Sequence, residues 1–213
     1  VTFRGHVTLG GDVFASAGAQ DGLVASFDRS GTFRWARSFG GPTNDLVETT
    51  VGHPGGGVVV SGRFRENFDL EGVPLASEGD DDLLVTRWSV DGDLEWVVAA
   101  GSAGPDQLEA SAVDGLGRLY VAGMAGGPMD LGGGHLPFGG GSDVFVASFR
   151  DEGSHRWSVA FGGGGEDVAE QLSVDAPGSV WLAGRFEETV DLGAETLVSA
   201  GLDDGFVVHL VEG

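Results

Sequence analysis

The chain has 213 residues, 40 of them glycine and none cysteine, and its 33 acidic residues against 11 basic ones leave a net charge of −22. That imbalance excludes the clustered Lys and Arg with which a protein displaces counterions from nucleic acid or settles on an anionic membrane, so neither partner is expected. Disulfides, zinc–thiolate centres and thiol nucleophiles are excluded with the cysteines, and glycine at this level without a G-X-Y period points to short strands joined by tight turns.

Read in chain order, the first strong strand signal after residues 1–20 is DGLVASF (Asp21–Phe27). It returns as DLLVTRW (Asp82–Trp88), DVFVASF (Asp143–Phe149) and DGFVVHL (Asp204–Leu210), each 61 residues after the last. The same offset joins Gly31, Gly92 and Gly153; Trp35, Trp96 and Trp157; Gly62, Gly123 and Gly184; and Leu9, Leu70, Leu131 and Leu192. The chain therefore reads as a single repeat domain over 1–213 with units 21–81, 82–142 and 143–203, plus a half-unit made of 1–20 and 204–213. Within the third unit, DVFVASF is followed by three further strand candidates: HRWSVAF (His155–Phe161), AEQLSVD (Ala169–Asp175) and SVWLAGRF (Ser179–Phe186). VDLGAETLVSAG (Val190–Gly201) follows as a hairpin or edge ribbon. Turn chemistry separates them, as in FGGGGED and DAPGS, and no stretch carries the helical i, i+3, i+4, i+7 pattern.

Runs such as LVAS and VFVAS are apolar at nearly every residue, which marks sheets covered on both faces. The expected fold is all-β: a β-propeller of 61-residue, four-stranded blades, about 3.5 of them in this chain. In such an architecture Trp35, Trp96 and Trp157 are packing residues between blades. Three and a half blades do not close a ring of the usual four to eight. The expected partners are thus copies of itself, associating through open strand edges, or the remainder of a longer propeller chain.

The order D-x-F-V-A-x-F, D-x-x-G, W, F-G-G, V-D-x-x-G-x-V-x-V-x-G-x-F, D-L-G resembles the SBBP-type β-propeller repeats of secreted and surface proteins of myxobacteria and similar bacteria. The segments that carry the resemblance are FVASFRDEGSHRWSVAFGG, SVDAPGSVWLAGRF and VDLGAETLVSAG. The resemblance implies an extracellular or cell-surface location and a module without a defined reaction. The second unit departs from the pattern, with Ala100 and Ser102 in the F-G-G segment and Met124–Ala125 in place of Arg-Phe.

The repeated polar feature is D-x-x-E: Asp45 with Glu48, Asp106 with Glu109, and Asp167 with Glu170. If the strand it opens is innermost, these six carboxylates ring a channel mouth, where they would raise one another's pKa or take up a hard cation such as Ca²⁺; the alternative is that each Asp accepts backbone N–H bonds at a turn. No other cofactor is expected. Asp21, Asp82, Asp143 and Asp204 read as turn residues. The five histidines sit at unrelated repeat positions, and neither a G-x-S-x-G elbow nor a P-loop lysine occurs. The expected function is a non-enzymatic structural or binding module that takes a protein or carbohydrate ligand. The alternatives are a lectin-like propeller using Tyr120 and Trp181, and a hydrolase with a carboxylate-lined channel in which Glu109 and Glu170 act.

Overall fold

Strands form where β-branched and aromatic residues cluster between Gly, Asp and Pro. In the computed structural model, which describes residues 1–193 and 195–212, they build four small antiparallel sheets and two separate hairpins. No helix occurs among the described residues. Sheet I contains β1 (Thr2–Phe3), β4 (Asp21–Phe27) and β5 (Phe33–Phe39), with the hairpin β2 (His6–Leu9) and β3 (Asp12–Ala15) inserted after β1. Sheet II is a four-stranded meander of β6 (Leu46–Gly52), β7 (Val58–Phe64), β10 (Asp82–Trp88) and β11 (Leu94–Ala100). Its inserted hairpin is β8 (Phe68–Leu70) and β9 (Val73–Leu75). Sheet III repeats the meander with β12 (Gln107–Val113), β13 (Leu119–Ala125), β14 (Asp143–Phe149) and β15 (His155–Phe161). Sheet IV has β16 (Asp167–Ala176), β17 (Ser179–Asp191) and β18 (Thr196–Val211).

The inserted ribbon varies while the meander does not. It is a free hairpin in sheets I and II. In sheet III it shrinks to a bridge between Asp130 and His135. In sheet IV it merges with the sheet, where β17 and β18 stay paired from Thr189↔Val198 to Asp191↔Thr196. Each complete sheet straddles a boundary of the repeat frame, since a meander runs from Leu46 to Ala100 or from Gln107 to Phe161.

Packing follows the alternation of side chains across each strand. Even-numbered Val60, Leu84 and Trp88 of sheet II meet Val24, Trp35 and Phe39 of sheet I. The odd-numbered Val59, Leu83 and Val85 turn the other way, onto Val121, Phe145 and Phe149 of sheet III. Sheet III in turn presents Ala122, Val144 and Val146 to Leu182, Phe186 and Phe206 of sheet IV. Strands β10 and β14 are therefore buried at all seven positions, as the apolar run VFVAS anticipates for β14; β10 buries Asp82, Thr86 and Arg87 as well.

The repeated tryptophans fasten one sheet to the next. Trp35 donates from Nε1 to the Val90 carbonyl at 2.9 Å, and Trp96 to the Asp151 carbonyl at 2.8 Å. Both rings lie on a turn glycine, Gly92 (φ 86°) and Gly153 (φ 82°), where an added Cβ would stand 2.6 or 2.8 Å from the indole. Glycine is thus required both for the left-handed backbone and for the ring above it. Trp157 donates from Nε1 to Glu212, next to the end of β18, and a second lock joins sheets III and IV. The buried Tyr120 hydroxyl donates to Asp114 Oδ2 and accepts from the Gly178 N–H, both at 3.0 Å. Tyr120→Phe should cost about 1–3 kcal/mol, because it leaves the Gly178 N–H without its buried acceptor; urea unfolding at constant m-value would measure it.

Candidate functional site: a carboxylate–arginine rim on the bulged strands

The first strands of sheets II, III and IV lie side by side, with β12 touching β6 on one side and β16 on the other. Each begins with the D-x-x-E motif, and the structure gives its two carboxylates different tasks. Asp45, Asp106 and Asp167 are fully buried. Their Oδ2 atoms accept from the N–H of Gly41, Ser102 and Gly163 at 2.7, 2.6 and 2.8 Å. Oδ1 accepts from Arg65 N–H at 3.2 Å in Asp45 and from Gly126 N–H at 2.9 Å in Asp106. Their own N–H groups donate to the carbonyls of Gln20, Asp81 and Ser142, each the residue just before a strand of the preceding sheet. Each aspartate thus ties a turn to the sheet beside it. Asp21, Asp82, Asp143 and Asp204 do similar work, each accepting from the N–H four residues earlier at 2.6–2.7 Å.

Glu48, Glu109 and Glu170 occupy the extra residue of a β-bulge. Pairing steps from Val47↔Gly62 to Thr49↔Ser61, from Leu108↔Gly123 to Ala110↔Ala122, and from Ala169↔Gly184 to Gln171↔Ala183. A bulge re-aims its extra side chain, and here it sets a glutamate on the rim of each first strand. Glu48 pairs with Arg63 at 3.4 Å, and Glu170 with Arg185 at 3.4 Å. Arg63 also faces Asp81 at 3.7 Å, which receives Arg65 at 3.0 Å. In sheet III the arginine position is Met124, so Glu109 has no arginine of its own sheet. With its amide oxygen turned to Arg63, Gln107 accepts from that guanidinium at 2.6 Å and donates to Glu109 at 3.2 Å. A cleft of about 300 Å³ opens beside Glu109, bounded by Pro105, Gln107, Met124, Glu166 and Arg185.

Burial pushes Asp45, Asp106 and Asp167 up to about 6 each, against the opposing pull of their backbone N–H donors. Glu48 rises to about 7, chiefly through burial; Arg63 works against the rise, and Glu109 and Asp81 add to it. A carboxylate whose folded-state pKa is raised favours the fold while protonated in the native state. That stability is complete below its unfolded value near 4 and is lost as pH rises through the folded value. The melting temperature should therefore fall between about pH 4 and 7, and repulsion within a chain of net charge −22 acts in the same direction. Thermal melts at pH 5 and pH 8 check this, and Asp106→Asn should flatten the slope.

Of the two sequence readings of D-x-x-E, six carboxylates at one mouth or each Asp accepting backbone N–H bonds at a turn, the structure has the second for the aspartates and brings the glutamates to the rim. Among the described residues no group of three or more His, Cys, Asp or Glu converges on a position for a metal ion. Arg63 and Arg185, the counter-charges of the rim, were not singled out; their only signal was the Arg-Phe pair that Met124–Ala125 interrupts. The two candidate platform aromatics also part company. Tyr120 is fully buried, while Trp181 is 42% exposed and stacks on His209 with ring centroids 4.1 Å apart. Among the described residues no helix is long and apolar enough to cross a membrane.

No family model matches the chain. A similar protein is the Regulatory protein FlaEY of Caulobacter vibrioides, 27% identical over 148 residues. The match covers 68% of this chain but only 15% of that protein.

Proposed function

We propose that the chain is a run of β-propeller-type blades forming a non-enzymatic binding and assembly module of an extracellular or cell-surface protein, with the bulged first strands toward the axis. The observation that carries this reading is the recurrence of one interface: the same positions of the 61-residue unit pack between sheets I and II, II and III, and III and IV. The binding face in this reading is the glutamate rim. Two of its three glutamates are held by arginines, an arrangement suited to recognition through charge. A regulatory role, as in the name of the relative, is compatible with such a module.

The test is calorimetric titration of the chain with a panel of basic peptides, acidic peptides and saccharides. The rim predicts binding of basic peptides that weakens several-fold in Glu109→Gln and with added salt. Turnover of a glycoside that disappears in Glu109→Gln or Glu170→Gln, with the fold intact, would overturn the reading in favour of the hydrolase. The lectin-like alternative has lost its repeated platform, because Tyr120 lies inside an interface; it now predicts at most one saccharide per chain, at Trp181.

A further inference from the structure

The junction of sheets II and III and that of sheets III and IV use the same positions of the 61-residue unit, yet only the first is filled with charge. There Arg63 lies 3.4 Å from Glu48 and 3.7 Å from Asp81, while Arg65 lies 3.0 Å from Asp81 and 3.7 Å from Asp80. One junction on, Met124, Gly126, Gly141 and Ser142 stand in the places of Arg63, Arg65, Asp80 and Asp81. All four of these uncharged residues line the cleft of about 300 Å³ beside Glu109. The cleft is therefore the space that two arginine side chains and their aspartates take up in the neighbouring junction. Every residue that lines it belongs to sheets III and IV or to the turns beside their strands.

The acids of the site are not lost with the arginines. Glu109 keeps the bulge position of Glu48, and Glu166 stands where the preceding unit has Pro105. Neither is in an ion pair among the described residues, and Glu109 accepts from the Gln107 amide at 3.2 Å. Arg185, which also borders the cleft, is held by Glu170 at 3.4 Å. We infer that the cleft receives an arginine side chain from a partner protein, whose guanidinium takes beside Glu109 the place that Arg63 and Arg185 occupy beside Glu48 and Glu170. The inference names the partner chemistry of the rim proposed above and rests on that reading. A guanidinium suits the cleft because its planar fork serves carboxylates on either side, while its methylene stem packs on Met124. A volume of about 300 Å³ stands at the lower end for ligand pockets and admits one side chain, not a folded segment.

The test titrates the chain with the peptide acetyl-Gly-Gly-Arg-Gly-Gly-amide and with its citrulline analogue, which keeps the shape of arginine and loses the charge. Calorimetry gives the affinity and NMR the backbone amide shifts. Met124→Arg rebuilds the arginine of the sister sheets and fills the cleft from within. Wild type is expected to bind the arginine peptide one to one, about ten-fold or more tightly than the citrulline peptide, with shifts centred on Gln107, Gly126 and Ser142. Met124→Arg is expected to lose about ten-fold or more in affinity. Equal binding by Met124→Arg overturns the inference, as do equal binding of the citrulline peptide or shifts centred on Glu48 or Glu170. The shift map of wild type decides the matter even where Met124→Arg does not fold. Failure of the rim reading looks different. In that case wild type binds none of the basic peptides of the wider panel, whereas a chain that binds them outside the cleft refutes the cleft alone.

Discussion

Gly123→Ala should destabilise the protein by about 3 kcal/mol or more, at the upper end of what overpacking a closed interior costs. A Cβ on Gly123 would lie 1.9 Å from the Gln107 carbonyl oxygen and 3.0 Å from the Leu108 Cα. Both obstacles are backbone atoms, so no side-chain rotation relieves them. Gly123 stands opposite the bulge that carries Glu109, and the bulge draws the β12 carbonyl over it. Gly62 and Gly184 are placed alike, with Leu46 O at 1.8 Å and Val168 O at 2.3 Å from the added carbon. The glycine repeated every 61 residues is therefore the price of the bulge. Gly115→Ala is the control: it lies in a turn with open space around its added Cβ, and its effect should stay within about 0.5 kcal/mol. Urea denaturation of the two variants gives the comparison, and equal midpoints would refute this account of the bulge.

Trp88→Ala should cost about 3–5 kcal/mol, the range for emptying a buried large aromatic site. Trp88 is fully buried, stacks at 6.3 Å on Phe39 of the neighbouring sheet, and donates from Nε1 to Thr86 Oγ1 at 2.8 Å. Thr86 passes the bond on to the Val60 carbonyl at 3.1 Å. Truncation thus opens a cavity between sheets I and II and leaves a buried hydroxyl without its donor. Phe27→Ala, at the equivalent position of sheet I, removes a half-exposed ring and should cost about 1 kcal/mol or less in the monomer. Similar losses for both variants would mean that sheets I and II do not share the interface described.

The legibility of the fold varies with how local its cause is. The 61-residue period, the strands and the turns were legible because D-x-x-G, the G-x-F endings and the β-branched runs act within a few residues of themselves. Two-faced burial was legible at β14, where every residue is apolar or small enough to be covered; β10 also buries Arg87, whose guanidinium is satisfied by the Trp88 and Gly56 carbonyls. The rim was legible only in part. Asp45 and Glu48 are three residues apart and could be read as one site or as a turn residue next to a free glutamate; the bulge at Glu48 sets the glutamate beside Arg63 on the rim while the aspartate is drawn toward the N–H groups of Gly41 and Arg65. A bulge depends on cross-strand register, and register is decided by the partner strand.

The sequence by itself determined the class of the fold, the length of the unit and the residues available for packing, because periodicity and turn chemistry are local. Only the tertiary structure decided which copy of each residue is covered. Tyr120 and Trp181, or Trp88 and Phe27, occupy identical places in the unit, yet one of each pair is sealed and the other open. The physical reason is that burial belongs to the contact between two sheets, and each end sheet has a face that no described sheet meets.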